Sequence, residues 1–383
     1  MEDIGIYIHI PFCAKKCYYC DFISYAGKQE KINNYIEAVK QEIQIISKQE
    51  QIQKQKRRVS TIYIGGGTPS YIESKYIKEI LQTIQKSFEV VEEAEITIEV
   101  NPGTVTTEKI KDYQAAGINR ISIGLQAVQD TLLKEIGRIH TYNQFLQTYT
   151  EIKKAGITNQ NIDLMLGLPQ QTIEQIEESI NTIIALEPTH ISVYSLIVEE
   201  GTFLEKQLGT GLFCLPDEEV ERAMYWKVKR MLEAKGYEHY EISNFAKKGY
   251  ASKHNCHCWE QKEYIGFGVA AHSYLNKKRY SNITDIEEYI ENIQNNHIQR
   301  NKQIHEIQNK EDEQKEYMLL GLRKIEGVSI QSFKLKFQEN PIFLYRQELN
   351  KLVKEGLVEV DTNQIKLTNK GIDLANLVWE EFI

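Results

Sequence analysis

The sequence lacks any uninterrupted apolar run close to the roughly 20 residues that a membrane-spanning helix needs. Its mean hydropathy is −0.45, which also argues against burial in a membrane. The chain begins with Met1, Glu2 and Asp3, and therefore lacks the basic segment that opens a secretory signal. Together these absences predict a cytoplasmic protein without a transmembrane segment.

Cysteine and positive charge are also scarce. Six cysteines in 383 residues are too few for a disulfide scaffold. In a reducing compartment they favour metal or redox chemistry over disulfides, which stay the less favoured alternative. The formal net charge of −8 provides no general attraction to nucleic acid, because such binding depends on clustered Lys and Arg. We therefore expect no nucleic-acid partner.

Short β-branched segments alternate with longer helical patterns in the first half of the chain. Strand patterns alternating with helical ones imply right-handed crossovers and a parallel sheet, and six such units can curl into a partial barrel. The sequence therefore predicts an α/β protein built on a partial (β/α)6 TIM-like barrel. The predicted strands are residues 4–11, 60–64, 96–100, 120–125, 161–166 and 191–197.

The alternation degrades after about Thr202, where an aromatic and histidine-rich segment and then a polar run follow. The last part of the chain has the pattern of three helices, a short hairpin and a final helix, which is typical of a winged-helix-like α+β domain. We expect that domain to serve packing and not DNA binding. The predicted regions are a barrel at 1–235, an extension of its core at 236–300 and the C-terminal domain at 301–383.

Cys13, Cys17 and Cys20 form a CxxxCxxC motif directly after the first predicted strand. In parallel α/β folds this loop belongs to the face that carries the chemistry. Three thiolates so close in sequence indicate either zinc or an iron-sulfur cluster. A closed zinc site would need a fourth ligand from Cys214, Cys256 or Cys258. A [4Fe-4S] cluster on three cysteines instead leaves one iron open for S-adenosylmethionine, which the cluster can cleave to a radical.

The residues around the motif make this pattern more specific. Residues 7–13 read YIHIPFC, and Cys20 is followed by Asp21 and Phe22. This opening resembles the radical SAM branch that contains the oxygen-independent coproporphyrinogen III oxidases and the HemW heme chaperones. The resemblance covers roughly residues 4–280 and, more weakly, the C-terminal tail. It implies a [4Fe-4S] cluster on the three cysteines, with S-adenosylmethionine bound beside it.

Motifs at the ends of the predicted strands match the cofactor-binding positions of that branch. Three of these motifs also have a purely structural explanation in place of cofactor binding. The glycines could form a tight turn, Glu99 could be a solvated carboxylate at the rim, and Arg138 could form an ion pair with Asp163. Ile197 and His272 match their positions more loosely than the others. By resemblance, the contacts to S-adenosylmethionine are Tyr7, Tyr19, Gly66, Gly67, Thr68, Glu99, Gln126, Arg138, Asp163, Ile197 and His272.

A second group of motifs lies between residues 240 and 273 and resembles HemW elements. One departure is Cys258, where HemW proteins usually have tyrosine. Imidazole and thiolate are the usual protein ligands of heme iron, and aromatic rings pack on macrocycles. We therefore expect heme contact from at least one of four candidates, with zinc binding or a simple turn cap as alternatives. These candidates are His254, Cys256, His257 and Cys258.

The combined pattern predicts a protein that binds heme or porphyrin and delivers heme to an apo-protein. An electron donor of the flavodoxin or ferredoxin type would serve the cluster. The alternative is an oxygen-independent coproporphyrinogen III oxidase. Against it, Phe22 stands where the oxidases carry another cysteine, and the N-terminal arm before Tyr7 is short. A third possibility is a cluster-free interaction protein.

Overall fold

The computed structural model describes residues 2–52, 57–211 and 213–383. The strands in these ranges are β1 (Glu2–Ile10), β2 (Phe12–Cys13), β3 (Tyr25–Ala26), β4 (Arg57–Gly66), β5 (Glu89–Val100), β6 (Arg120–Gln126), β7 (Asn159–Leu166), β8 (His190–Ser195), β9 (Glu238–Glu241), β10 (Asn244–Ala246), β11 (Tyr264–Phe267), β12 (His272–Leu275), β13 (Lys278–Asn282), β14 (Lys302–Ile307), β15 (Val328–Ser329), β16 (Val358–Val360) and β17 (Gln364–Leu367).

The α-helices of the same ranges connect these strands or cover the sheet. Three of them begin with a capping box, in which Thr141 pairs with Gln144, Thr172 with Gln175 and Asn309 with Asp312. The α-helices are α1 (Ile32–Ile52), α2 (Ser74–Ser87), α3 (Thr107–Ala115), α4 (Asp130–Glu135), α5 (Tyr142–Lys154), α6 (Ile173–Ile184), α7 (Phe203–Gly209), α8 (Glu218–Glu233), α9 (Lys253–Trp259), α10 (Ile286–Gln294), α11 (Lys310–Gly321), α12 (Ile330–Phe337), α13 (Pro341–Leu344), α14 (Arg346–Lys354), α15 (Asn369–Asp373) and α16 (Ala375–Glu380).

Twelve of these strands form one sheet, whose centre is the parallel run β1, β4, β5, β6, β7 and β8 in chain order. Each neighbouring pair in this run is parallel. Such pairs require crossover connections, which the intervening helices supply. The predicted partial (β/α)6 barrel is therefore confirmed, with all six strands close to their predicted positions.

Alternation along the parallel strands separates an apolar outer face from a polar interior. In β1 the four isoleucines from Ile4 to Ile10 are buried in the main hydrophobic core. The residues between them, Gly5, Tyr7 and His9, face the other way. Polar residues of neighbouring strands bond across this interior, as when Asn161 donates to Ser122 at 2.7 Å. The barrel interior is thus lined by polar groups in place of an apolar plug, and two of its buried atoms, Thr97 Oγ1 and Arg120 Nε, have no hydrogen-bond partner among the described residues.

The sheet continues beyond both ends of the parallel run. At one end β11 lies parallel to β1, and β12, β13 and β14 follow it antiparallel. At the other end β10 pairs antiparallel with β8, and β9 pairs antiparallel with β10. The histidine-rich segment thus supplies additional strands, which its irregular sequence pattern does not reveal.

The C-terminal residues form a separate hydrophobic core that runs from Met318 to Phe382. Here β15, β17 and β16 make a three-stranded sheet behind α11, α12 and α14. This is the winged-helix-like α+β arrangement that the sequence predicts. The boundaries at 235 and 300 stay predictions. No helix of the described ranges combines the length and apolar character that crossing a bilayer requires.

Candidate cofactor site at the barrel mouth

The three motif cysteines lie at the carboxyl ends of the parallel strands. Cys13 closes the short strand β2, and Cys17 and Cys20 lie in the loop that follows. All three are free thiols, of which Cys13 is buried and the other two are half-buried. The loop therefore presents three thiols to one face of the barrel, the face expected to carry the chemistry.

Hydrogen-bond donors surround these sulfur atoms. The Thr68 hydroxyl lies 3.4 Å from Cys13 Sγ, and Arg138 Nη1 donates to Cys17 Sγ at 3.7 Å. Burial raises the pKa of the Cys13 thiol. Burial, followed by the neighbouring Cys17, raises the pKa of Cys20 to about 11. The metal-free Cys13 and Cys20 thiols are thus protonated at neutral pH, and a metal must displace their protons.

The three thiols line one cavity together. Across the described ranges, no group of three His, Cys, Asp or Glu side chains is placed so that it could hold a metal ion as it stands. In a cubane cluster the thiolates bind three separate corners, and hydrogen bonds to sulfur tune such clusters. The donor set and its Thr68 and Arg138 contacts therefore fit a [4Fe-4S] group.

The glycine run at the end of β4 is required by close packing against β1 and β2. Gly66 has a φ of 114°, and a Cβ there would lie 2.7 Å from the His9 ring. A Cβ on Gly67 would lie 3.0 Å from Cys13 Sγ. The Gly67 amide donates to the Ile10 carbonyl oxygen at 2.9 Å. The run thus holds the backbone directly against the first cysteine.

Replacing Gly66 with alanine is expected to lower the iron content of the reconstituted protein while the barrel still folds. The new methyl group meets the His9 ring, which lies between the glycine run and the cysteine loop, since His9 Nε2 donates to the Ile23 carbonyl oxygen. The matched control is Gly236→Ala, because Gly236 has a φ of 78° but nothing within 4 Å of its Cβ position. Equal iron loss in both variants would show that backbone strain alone, and not the contact with His9, causes the loss.

A carboxyl group with an unusual pKa lies one strand further along. Glu99 Oε1 accepts from the Tyr63 hydroxyl at 2.8 Å, and Oε2 accepts from the Gly66 amide at 3.3 Å. Burial is the main cause that raises the pKa of Glu99 to about 7. Near neutral pH this carboxyl group is therefore present in both forms, ionised as a hydrogen-bond acceptor and protonated as a donor.

Arg138 and Asp163 serve different partners and do not form the ion pair considered above. Arg138 Nη2 donates to Asn101 Oδ1 at 2.8 Å and to the Gly124 carbonyl oxygen at 2.5 Å. Asp163 accepts from Ser122 at 3.2 Å and from Asn161 at 2.6 Å. The arginine thus supports the cysteine loop, while the aspartate belongs to the polar interior.

Most of the predicted contact residues line one cavity together with the three cysteines. Three of them do not: Tyr7 lies beneath it and donates to His9 Nδ1 at 3.0 Å, Ile197 is 67% exposed, and His272 lies on β12. The cavity wall also includes Ser122, Asn101 and Tyr194, which the sequence did not predict, although strand alternation places each beside a predicted residue. The predicted residues on the cavity wall are Tyr19, Gly66, Gly67, Thr68, Glu99, Gln126, Arg138 and Asp163.

The four candidates for heme contact lie on α9, at the opposite end of the barrel from the cysteines. His254 Nδ1 bonds the Thr61 hydroxyl at 2.9 Å, and Thr61 precedes Gly66 by five residues, roughly 16 Å along the strand. His257 donates to the Glu263 carbonyl oxygen at 2.8 Å. Both rings are buried, and burial lowers the pKa of each. Cys256 and Cys258 are half-buried on the same helix.

Comparison with known proteins places this architecture in a family. The model of the radical SAM superfamily matches residues 7–183, and that of the HemN C-terminal domain matches residues 308–374. The heme chaperone HemW of Lactococcus lactis is 37% identical over 98% of this chain and 96% of its own length. HemW of Bacillus subtilis is 38% identical over 98% of both chains.

The structure of coproporphyrinogen III oxidase (HemN) from Escherichia coli, a radical SAM enzyme, matches with a TM-score of 0.85. It covers 100% of this chain and 90% of the oxidase at 22% identity, which supports the fold alone. The full-length relatives, the two family models and the cysteine loop at the barrel mouth all indicate the same family. This chain belongs to the HemW family of the radical SAM superfamily.

Proposed function

We propose that this protein is a heme chaperone that binds heme and delivers it to acceptor apo-proteins. The observation that carries the proposal is similarity along nearly the whole chain to curated proteins named as heme chaperones. Phe22, where the oxidases carry a further cysteine, supports the same choice over coproporphyrinogen III oxidase. We place this activity in the cytoplasm.

The cluster would be a [4Fe-4S] group held by Cys13, Cys17 and Cys20. When bound, it supplies the electron that cleaves the sulfonium of S-adenosylmethionine. Thr68 and Arg138 would hydrogen-bond its sulfur ligands, as they already bond the thiols. A protein of the flavodoxin or ferredoxin type would be the electron donor.

S-adenosylmethionine would occupy the cavity beside the cysteines. Its amino and hydroxyl groups need acceptors, which the Glu99 and Asp163 carboxyl groups can supply from the cavity wall. The Tyr63 hydroxyl and the Gly66 amide hold the Glu99 carboxyl in place. Gln126 accepts from the Tyr194 hydroxyl at 3.0 Å, so its side chain is also fixed. The cavity thus offers preorganised polar contacts in place of flexible ones.

Titration of the anaerobically reconstituted protein with hemin tests the proposal. We expect stoichiometric binding, seen as a shifted Soret band, followed by transfer of the heme to an added apo-haemoprotein. The same sample should leave coproporphyrinogen III unchanged. Conversion of coproporphyrinogen III without stoichiometric heme binding would instead identify the oxidase.

A further inference from the structure

A chain of hydrogen bonds runs through the barrel interior from Asp163 to the start of α9. Asn161 Nδ2 donates to Asp163 Oδ1 at 2.6 Å, and Asn161 Oδ1 lies 2.6 Å from His190 Nδ1. On the other side of the imidazole, His190 Nε2 lies 2.7 Å from the Tyr240 hydroxyl. That hydroxyl accepts from the backbone amide of Ser252, the N-cap residue of α9, at 3.2 Å. One line of contacts therefore joins the cofactor cavity to the opposite end of the barrel.

The direction of each bond in this chain follows from its donors and acceptors. Asn161 Nδ2 has two hydrogens, which the Asp163 carboxylate and the Ser122 hydroxyl accept. Asn161 Oδ1 must therefore accept from His190, so the imidazole carries its hydrogen on Nδ1. His190 Nε2 is then the acceptor for the hydrogen of the Tyr240 hydroxyl. Every donor in the chain thus points toward the Asp163 carboxylate.

Burial isolates this chain from solvent at its centre. His190 is fully buried, and burial, followed by the charge of Arg120, lowers its pKa well below the ordinary value. The ring is therefore neutral at pH 7. Burial also raises the pKa of Asp163, and the hydrogen bond from Asn161 is the first of the contacts that lower it again. The chain thus supports a charge that burial disfavours.

Other elements of the barrel also place titratable or charged groups around Asp163. Each of them is present in every variant discussed below, so a comparison between variants isolates the chain. These groups are Arg120 on β6, Glu99 on β5, Tyr63 on β4, Tyr194 on β8 and Tyr19 in the cysteine loop.

An ionised and oriented Asp163 suits the proposed cofactor. Asp163 lines the cavity beside the cysteines. S-adenosylmethionine presents amino and hydroxyl hydrogens, which a carboxylate accepts more strongly than a neutral group does. Without His190, the Asn161 amide is free to turn its oxygen toward Asp163, and two facing oxygens need a proton between them. The carboxyl group would then lose both its charge and its fixed orientation.

We propose that His190 is a positioning residue for S-adenosylmethionine, which acts through Asn161 to keep the Asp163 carboxylate ionised and oriented toward the cofactor. Tyr240 fixes the His190 tautomer from the other side and ties the site to α9. His190 itself lies outside the residues that line the cavity, so it acts without touching the cofactor. The inference rests on the proposed binding of S-adenosylmethionine and adds to it a residue at the centre of the barrel.

Binding of S-adenosylmethionine to the anaerobically reconstituted protein, measured by calorimetric titration from about pH 6 to about pH 9, tests the assignment. For His190→Leu we expect the affinity at pH 7 to fall at least about tenfold, because the Asp163 carboxylate loses the support of Asn161. The loss should shrink as the pH rises, since a higher pH ionises the carboxyl group without that support. A purely structural defect would lower the affinity by the same factor at every pH.

Three further variants separate the hydrogen bond from the loss of a buried ring. His190→Asn places an amide nitrogen near the position of Nδ1, so it should recover most of the affinity. Tyr240→Phe should weaken binding less than His190→Leu, because His190 still reaches Asn161. His239→Leu is the matched control and should bind as the wild type, because His239 is also buried but bonds the Ile242 carbonyl oxygen outside the chain.

The outcomes separate this inference from the proposed function. If the wild type binds no S-adenosylmethionine, both are overturned. If the wild type binds it and His190→Leu binds it equally at every pH, the positioning role alone is wrong. Equal weakening of His190→Leu and His190→Asn at every pH, or equal weakening of His239→Leu, also contradicts that role. If circular dichroism shows that His190→Leu does not fold, Tyr240→Phe decides, and wild-type affinity at every pH in that variant overturns the proposal.

Discussion

Cys17→Ala is expected to lose nearly all cluster iron, to below about a tenth of the wild-type content, while the barrel stays folded. Removing one of three thiolates leaves two, which cannot hold three corners of a cube. The side chain lies in the half-buried loop outside the hydrophobic cores. Iron and sulfide analysis after anaerobic reconstitution, with circular dichroism of the same sample, measures both parts of the prediction.

Cys214→Ala is the control, because Cys214 is a free, exposed cysteine outside the motif loop. It should keep the full iron content and the same thermal transition. Unchanged iron content in Cys17→Ala would show that Cys17 is not a ligand of the cluster. Equal iron loss in both variants would indicate that the iron is bound adventitiously by surface thiols.

Glu99→Gln is expected to remove a pH dependence from the stability of the metal-free protein. The folded-state pKa of about 7 lies above the ordinary value of 4.5, chiefly because of burial. The folded wild type therefore binds more protons than the unfolded chain between these values, and its stability falls as the pH rises through that window. The variant lacks this loss. Its free energy of unfolding, relative to wild type, should rise by about 2 to 3 kcal/mol from about pH 5 to about pH 8, as an upper limit at a site open to solvent.

Chemical denaturation at the two pH values measures the difference. The matched control is Glu89→Gln, which removes an exposed carboxylate from the same strand β5; Glu99→Gln should differ from this control in its pH dependence. A Glu99→Gln difference that is flat across the window would show that the carboxyl group titrates at its ordinary pKa.

The barrel could be predicted from the sequence because each of its strands shows its own alternation of apolar and other residues within a few positions. Ile4 to Ile10 alternate with Gly5, Tyr7 and His9, and a period of two is sufficient to identify a half-apolar strand. The helix-forming segments between the strands then require parallel pairing. For the same reason Glu99, Gln126 and Asp163 could be assigned to one cavity, since each lies near the carboxyl end of a parallel strand.

The strands beyond β1 could not be predicted because their pairing is not local. β11 pairs with β1 although the paired residues are 259 positions apart in the sequence, and its four residues carry no alternation that identifies an edge. The seven residues of α9 are likewise too few for a helical period. Chemistry alone therefore made His254 a candidate for heme contact, and only the structure shows that its bond to Thr61 holds it at the far end of the barrel from the cysteines.

The central claim is that three thiols at the barrel mouth hold an iron-sulfur cluster with one iron open to S-adenosylmethionine. The most direct test is metal and sulfide analysis of the anaerobically reconstituted wild type, combined with electron paramagnetic resonance of the reduced sample before and after the cofactor is added. We predict about four iron and four sulfide per chain and a signal that changes with S-adenosylmethionine. A preparation that holds zinc or no metal, or a signal indifferent to the cofactor, would contradict the claim.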